Sequence, residues 1–278
     1  MADRLPPGLY VVATPIGNLG DLSPRAAETL CKADLILAED KRVTAKLLAH
    51  TGSKVRMAVY HDHSSEADRS AILSRLADQA VALVSDAGTP LISDPGYKLV
   101  RAARQAGLAV HTVPGPSALI AALTLAGLPT DRFMFAGFLP PKAKARSDAI
   151  AELAAIRATL IFYESGPRLG DSLAALRDGL GDREAAVARE ITKLHEECVT
   201  GSLGELAERY ADAAPKGEIV IVVGPPAEAE AASDEQLDQA LREALAQLSP
   251  SRAAAEVAEQ LQIPRKRAYA RALELSAG

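Results

Sequence analysis

Short apolar segments rich in β-branched residues alternate along this chain with Ala- and Leu-rich segments of helical spacing, and this alternation limits the possible folds more than any other sequence feature. Strands are predicted at residues 8–13, 33–39, 55–60, 81–87 and 108–113, and again at 132–139, 158–165, 184–190 and 217–224. Parallel strands need crossover connections, which are usually helices. The pattern therefore predicts an α/β fold with a largely parallel sheet.

Helix signals fall between these strands. Ser23 can cap a helix over residues 23–32, and Pro24 fits its first turn. A second helix is predicted over residues 64–79. The least polar segment, residues 117–128, has only 12 residues, too few to cross a bilayer. We therefore predict a buried helix there and no membrane partner.

Proline, glycine and a change of composition mark the domain boundaries. A hinge at Pro114-Gly115-Pro116 separates two predicted α/β lobes, residues 1–115 and 116–224. Residues 225–233 lack β-branched side chains and are predicted to be a linker. Residues 234–278 are predicted to form a helical appendix, with one helix around residues 237–248 and others near 252–261 and 265–275.

Charge and cysteine content exclude several classes of protein. The formal net charge of −5 argues against a protein that binds polyanions nonspecifically. The two cysteines, Cys31 and Cys198, make neither a disulfide framework nor a zinc site. The first residues lack the basic and long apolar regions of a signal peptide. A cytoplasmic protein is predicted.

Glycine-bearing turns follow the first and fourth predicted strands. TPIGNLGD (14–21) follows the first, but the dinucleotide fingerprint and the P-loop are both absent, so this turn alone is equally consistent with a structural loop. SDAGTPLISDPG (85–96) is more informative, because small residues let a ligand approach the backbone while Asp86 and Thr89 offer hydrogen bonds. VPGPSA (113–118) places Ser117 before the apolar helix, as a simple cap or at a ligand cleft.

Seven motifs, taken in order, are similar to those of the tetrapyrrole-methylase superfamily. They are TPIGNLGD, AEDKR, SDAGTPLISDPG, VPGPSA, FYESGPR, REITK and KGEIVIVVG, and they extend over about residues 8–224. Within the superfamily the set most resembles the small-subunit (16S) ribosomal RNA cytidine 2′-O-methyltransferases, as does the helical tail. Tetrapyrrole-acting members commonly carry Gly-Asp-Pro where this chain has Gly88-Thr89-Pro90, which favours the RNA-modifying branch.

The resemblance implies a two-lobed tetrapyrrole-methylase-like α/β fold, distinct from Rossmann methyltransferases, with a small C-terminal helical appendix. It also implies a homodimer that binds S-adenosylmethionine between its lobes and methylates a cytidine 2′-hydroxyl in the decoding region. The substrate would be small-subunit ribosomal RNA, free or in the assembled subunit. By position, the resemblance implies these cofactor-binding residues: Pro15, Asp86, Ala87, Gly88, Thr89, Ser117, Ala118 and Tyr163.

A ribose hydroxyl is a poor nucleophile while protonated, so a group that accepts or shares its proton is expected. Asp40 is the predicted base or orienting carboxylate, and Lys193 is predicted to steady the developing alkoxide or contact a phosphate. Charged runs after strands are often only solvated ion pairs, and that alternative stays open for both. Glu164 and Arg168 are weaker candidates for the cleft and for a substrate phosphate.

Two basic clusters are predicted to contact RNA despite the acidic total. Lys142 and Lys144 follow the strand at 132–139 in a predicted loop. Arg265, Lys266 and Arg267 begin the last predicted helix. Tyr269 could stack on a base or simply pack the appendix. No metal is expected, because the adjacent residues of the run 61–63 (His-Asp-His) cannot easily converge on one ion.

Three alternatives remain open from the sequence. The first is a methyltransferase of the same superfamily that acts on a tetrapyrrole or a protein side chain. The second is a nucleotide-linked dehydrogenase, which the missing glycine fingerprint disfavours. The third is a non-enzymatic RNA-binding scaffold.

Overall fold

The computed structural model of the chain describes residues 4–61, 64–227, 233–261 and 263–277. The chain divides into two compact units, Met1–Pro225 and Pro226–Gly278. The first unit contains two separate five-stranded sheets. The second consists of helices.

The first sheet is parallel throughout, in the order β3-β2-β4-β1-β5. Its strands are β1 (Gly8–Val12), β2 (Leu35–Ala38), β3 (Met57–Val59), β4 (Ala80–Val84) and β5 (Val110–Val113). One face packs against α1 (Pro24–Lys32) and α2 (Lys41–Thr51), and the other against α3 (Glu66–Leu76) and α4 (Tyr97–Gln105). Both faces are covered, which explains why the central strands β1, β2 and β4 are continuous apolar runs in the sequence.

The second sheet corrects the prediction of a largely parallel arrangement. Its strands are β6 (Phe133–Phe138), β7 (Thr159–Ser165), β8 (Glu184–Arg189), β9 (Glu197–Ser202) and β10 (Glu218–Val223). In the order β6-β7-β10-β8-β9, only β6 and β7 are parallel. The reason is local, since β8 and β9 are joined by a loop of residues 190–196 that is too short for a crossover.

Four helices cover the two faces of the second sheet. α6 (Ala143–Leu153), α7 (Leu169–Leu180) and α8 (Leu203–Tyr210) pack on one face. The predicted apolar helix, α5 (Ala118–Leu125), packs on the other face together with Ile16, which follows β1. The chain thus leaves the first sheet at Val113 and reaches the second sheet within the next helix.

Local signals at helix ends account for several outcomes. Ser23 accepts a hydrogen bond from the Ala26 amide and Pro24 lies in the first turn of α1, as predicted. Ser117 precedes α5, but its side chain makes no capping hydrogen bond. The loop predicted for Lys142 and Lys144 is wrong in part, because α6 begins at Ala143 and Lys144 lies within it.

The C-terminal unit is a bundle of α9 (Asp234–Leu245), α10 (Pro250–Gln260) and α11 (Arg265–Ala277). Its core contains Leu237 and Leu241 from α9, Val257 from α10 and Ala268 from α11. Pro250 lies in the first turn of α10, where its missing N–H is tolerated. Among the described residues, no helix is long and apolar enough to cross a membrane.

Candidate functional site

Three turns at the carboxyl ends of β1, β4 and β5 are hydrogen-bonded together. Thr14 and Gly88 exchange backbone hydrogen bonds, at 2.8 Å from the Thr14 amide and 3.1 Å from the Gly88 amide. The Thr89 hydroxyl donates to the Pro116 carbonyl at 3.1 Å. Gly88 has φ of +78°, a conformation that glycine adopts readily. The turns therefore form one continuous wall.

A cavity of about 320 Å³ lies against this wall. Seven of the predicted cofactor-binding residues line it, namely Asp86, Ala87, Gly88, Thr89, Ser117, Ala118 and Tyr163. Pro15 is not among the lining residues, whereas its neighbour Ile16 is. Lys193 also lines the cavity, and Asp40 does not.

Tyr163 belongs to the wall that the second sheet provides. Its ring makes edge contacts with Phe135 and Phe138, with ring centroids 4.7 and 5.6 Å apart. Burial raises the pKa of its hydroxyl above the ordinary value. Tyr163 therefore offers this cavity an apolar ring and a neutral hydroxyl at physiological pH.

Two loops that border the cavity hold residues in unusual backbone conformations. Leu91 and Ser93 have φ of +76° and +63°, and Glu190 and Thr192 have φ of +49° and +66°. Among the described residues, these four are the non-glycine residues with positive φ. Such strain persists where the surrounding structure fixes it, and it is common at ligand sites.

Lys193 reaches the turn after β1 from the second sheet. Its Nζ lies 2.9 Å from Glu190 Oε1 and 3.9 Å from Glu218 Oε2. A methyl group added at Gly17 would lie only 2.6 Å from Lys193 Cγ. The absence of a side chain at Gly17 is therefore what allows the lysine to pack across this turn.

Asp40 has a different environment from the one that was expected of a base. It is the N-cap of α2, and its carboxylate binds the Arg42 amide and guanidinium at 2.6–3.1 Å. The Arg42 hydrogen bonds lower its pKa to about 2. Because so weak a base accepts a proton poorly at neutral pH, the orienting role fits this geometry better. Its amide donates to Asp86 Oδ1 at 3.1 Å, which links it to the cavity wall.

Two acidic residues that line the cavity, Asp94 and Glu218, were not predicted as site residues from the sequence. Asp94 is half-buried, and desolvation raises its pKa to about 6, with additional repulsion from Glu39, Asp86 and Glu218. The SDPG turn was recognised as informative, yet nothing in the sequence indicated that Asp94 would lie near Glu39 and Glu218, which come from two distant segments.

Glu164 borders the cavity, but its carboxylate is held inside the protein. It accepts hydrogen bonds from the Ser172 hydroxyl at 2.6 Å and the Ser165 amide at 2.8 Å, and it pairs with Arg168 at 3.4 Å. Arg168 also donates to the Leu139 carbonyl. These contacts make the pair part of the packing between β7 and α7.

The predicted RNA-contacting residues lie on exposed surfaces for the most part. Lys142 and Lys144 are exposed, and Lys144 pairs with Asp148 at 3.1 Å. Arg265 and Lys266 are exposed at the start of α11, whereas Arg267 is half-buried and pairs with Asp234 at 2.8 Å.

In the described part of the chain, no three His, Cys, Asp or Glu side chains are grouped to hold a metal ion. Of the His-Asp-His run considered above, the residues at 62 and 63 lie outside the described ranges.

Comparison with known proteins identifies the family. Residues 8–207 match the family of tetrapyrrole (corrin/porphyrin) methylases, and residues 231–276 match the RsmI C-terminal HTH domain. A protein from Erythrobacter litoralis named ribosomal RNA small subunit methyltransferase I is 56% identical over 99% of this chain and 97% of its own length. The chain belongs to the ribosomal RNA small subunit methyltransferase I family. The resemblance and the two-lobed fold class predicted from the seven motifs are confirmed.

A second relative supports the same assignment, and a solved structure supports the fold. A protein of the same name from Mesorhizobium japonicum is 50% identical over 99% of this chain and 94% of its own length. Uroporphyrin-III C-methyl transferase from Thermus thermophilus, solved in complex with S-adenyl homocysteine, is 22% identical and has a TM-score of 0.54. The alignment covers 78% of this chain and 97% of that one, and it supports the fold alone.

Proposed function

We propose that this chain transfers a methyl group from S-adenosylmethionine to the 2′-hydroxyl of a cytidine in the decoding region of small-subunit (16S) ribosomal RNA. The observation that carries this proposal is full-length similarity, at 50–56% identity, to ribosomal RNA small subunit methyltransferases I. The cavity between the two sheets supports it, because seven of the eight residues that the resemblance assigned to the cofactor line it.

The cavity fits a nucleoside-sized ligand with an apolar body. Apolar side chains, including Ile16, Ile191 and Val220, line it together with the backbone of the turn at residues 86–89. Gly88 has no side chain to obstruct a ligand that approaches this turn. We assign the methyl donor to this wall, with Ser117 and Ala118 at one side and Tyr163 at the other. Pro15 would act indirectly, by placing Ile16.

Bound S-adenosylmethionine supplies an electrophilic methyl group on a sulfonium. The protein's part is to align the ribose oxygen with that methyl group, since displacement requires an in-line approach. Lys193 lies at the cavity with Glu190 at 2.9 Å, where its ammonium group can steady a developing alkoxide. Asp40 would orient the wall through its hydrogen bond to Asp86.

The exposed basic residues are proposed to hold the RNA. Lys142 and Lys144 form one such surface, and Arg265 and Lys266 at the start of α11 form the second. Arg267 would contribute less, because Asp234 already neutralises it. The methyl-labelling experiment that tests the reaction also compares the two forms of the substrate, free ribosomal RNA and the assembled small subunit.

We further propose a cytoplasmic homodimer. The edge strand β6 exposes Phe133, Met134 and Phe138 by 43%, 38% and 56%, an apolar surface that a second copy could cover. Light scattering during size-exclusion chromatography measures the mass directly, and a monomer at micromolar concentration would contradict the dimer.

The decisive experiment is transfer of labelled methyl from S-adenosylmethionine to small subunits and to free ribosomal RNA that lack native ribose methylation, followed by nucleoside mass spectrometry. We expect label in 2′-O-methylcytidine. If neither the small subunits nor the free ribosomal RNA is labelled while S-adenosylmethionine still binds, the substrate is instead a tetrapyrrole or a protein side chain.

A further inference from the structure

The charges that line the cavity are predominantly negative. Asp86, Asp94, Glu190 and Glu218 contribute carboxylates, whereas Lys193 is the one cation among the lining residues that the structure describes. Glu164 does not add to this negative charge, because Arg168 pairs with it inside the protein. Lys193 is itself 2.9 Å from Glu190, so this pair adds no net charge to the cavity. The cavity therefore presents a net negative charge to a ligand.

Asp94 is the lining carboxylate whose ionisation the surrounding negative charges disfavour. It comes from the loop after β4, and the charged groups that raise its pKa are Glu39 after β2, Asp86 after β4 and Glu218 on β10. Ser85 hydrogen-bonds to it, which favours the ionised form. Repulsion among these carboxylates is stronger in a partly enclosed cavity than in water. A bound cation would relieve it, whereas an RNA phosphate would be repelled.

The methyl donor changes charge during the proposed reaction. The sulfonium carbon–sulfur bond breaks and its electron pair stays on sulfur, while the ribose oxygen forms the new bond to carbon and releases its proton. S-adenosylmethionine therefore carries one more positive charge than S-adenosylhomocysteine. A negatively charged cavity can distinguish the two even though their shapes differ by a single methyl group.

We propose that Asp94, together with Glu218, makes the cavity selective for the cationic methyl donor over its neutral product. This inference rests on the proposed function. Methyl transfer removes the charge that these carboxylates attract, so the product is held less tightly and leaves. Asp94 is then a specificity-determining residue for the cofactor, in addition to the residues that the resemblance assigned.

Calorimetric titration of the full chain with each ligand tests this inference. We expect Asp94→Asn to weaken binding of S-adenosylmethionine about five- to tenfold, as one charge a few ångströms away in a partly solvated cavity would. Binding of S-adenosylhomocysteine should change less than about twofold. Glu218→Gln should shift the ratio of the two affinities in the same direction by a smaller factor, because its side chain is 79% exposed. Asp178→Asn, an acid of the α7 surface with a side chain 67% exposed, is the matched control and should change neither affinity.

Equal weakening of both ligands, or no change in their ratio in either cavity variant, would overturn the inference. This inference and the proposed function can fail independently of each other. Unaltered selectivity with normal label in 2′-O-methylcytidine would refute only the role of Asp94 and Glu218. Charge-dependent selectivity without label in RNA would leave that role standing and refute the substrate.

Discussion

Replacing Asp94 with asparagine is predicted to make the unliganded protein more stable at neutral pH. The folded structure raises the pKa of this carboxyl from its ordinary value of 3.8 to about 6, mainly through desolvation. At pH 7.5 the group is ionised in both states, but the ion is less favourable in the folded state. Asparagine keeps the size and shape of the side chain and removes the charge, so the repulsion by Glu39, Asp86 and Glu218 disappears.

The magnitude follows from the two pKa values. A difference of about two pH units corresponds to roughly 3 kcal/mol if it applies in full. Because Asp94 is only half-buried, solvent screening reduces this to about 1.5 kcal/mol. The sign follows from the raised folded-state pKa: the contribution of Asp94 to stability is greatest below its unfolded value and is lost as the pH rises through about 6. The advantage of the variant should therefore be about half as large at pH 5.0 as at pH 7.5.

Urea denaturation followed by circular dichroism, without ligand, measures this difference at both pH values. Asp178→Asn on the surface of α7 undergoes the same chemical change outside the cavity and should alter the unfolding free energy at neither pH. An Asp94→Asn protein that is less stable than wild type at pH 7.5, or whose advantage grows toward pH 5.0, would refute the reasoning.

Three further perturbations test other parts of the structure. Gly88→Ala should lower the unfolding free energy by about 1–2 kcal/mol, because φ is +78° and the new methyl group would lie 3.3 Å from Ile16; an unchanged urea midpoint would contradict this. Ser172→Ala should lower it by about 1–3 kcal/mol by leaving the buried Glu164 without its hydroxyl partner, and a variant as stable as wild type would count against that role. Joint replacement of Arg265 and Lys266 by glutamine should weaken RNA binding and lower its salt slope by about 1.5 while leaving S-adenosylmethionine affinity intact, measured by fluorescence anisotropy and calorimetry. An unchanged salt slope would exclude contact of these residues with phosphate.

The elements that the sequence predicted well are those whose burial is continuous. β1, β2 and β4 are covered on both faces, so each is an unbroken apolar run that is visible without knowledge of the fold. β9 was missed because Glu197–Ser202 is only partly buried and has no such run. The start of α2 was missed for a related reason, since AEDKR was interpreted as a charged segment although Asp40 caps a helix there.

The cofactor wall was more predictable than the chemistry around it. The backbone conformation of the turn at 85–89 depends on local residues, so its motif is recognisable in the sequence. The properties of Asp40 and Asp94 depend on neighbours instead. Hydrogen bonds from Arg42 lower the pKa of Asp40, whereas burial, together with repulsion from Glu39, Asp86 and Glu218, raises the pKa of Asp94. Pairwise electrostatics of this kind arise only after folding.

The stability of Asp94→Asn and its ligand selectivity have one physical origin, which makes the two measurements dependent on each other. Repulsion among the cavity carboxylates destabilises the unliganded fold, and a bound cation relieves the same repulsion. A ligand that binds only the folded state stabilises it by an amount that grows with the logarithm of its affinity. S-adenosylmethionine should therefore raise the melting temperature of wild type more than that of Asp94→Asn, whereas S-adenosylhomocysteine should raise both nearly equally. If the variant gains stability without losing this differential, the repulsion is real but the cation does not lie beside Asp94.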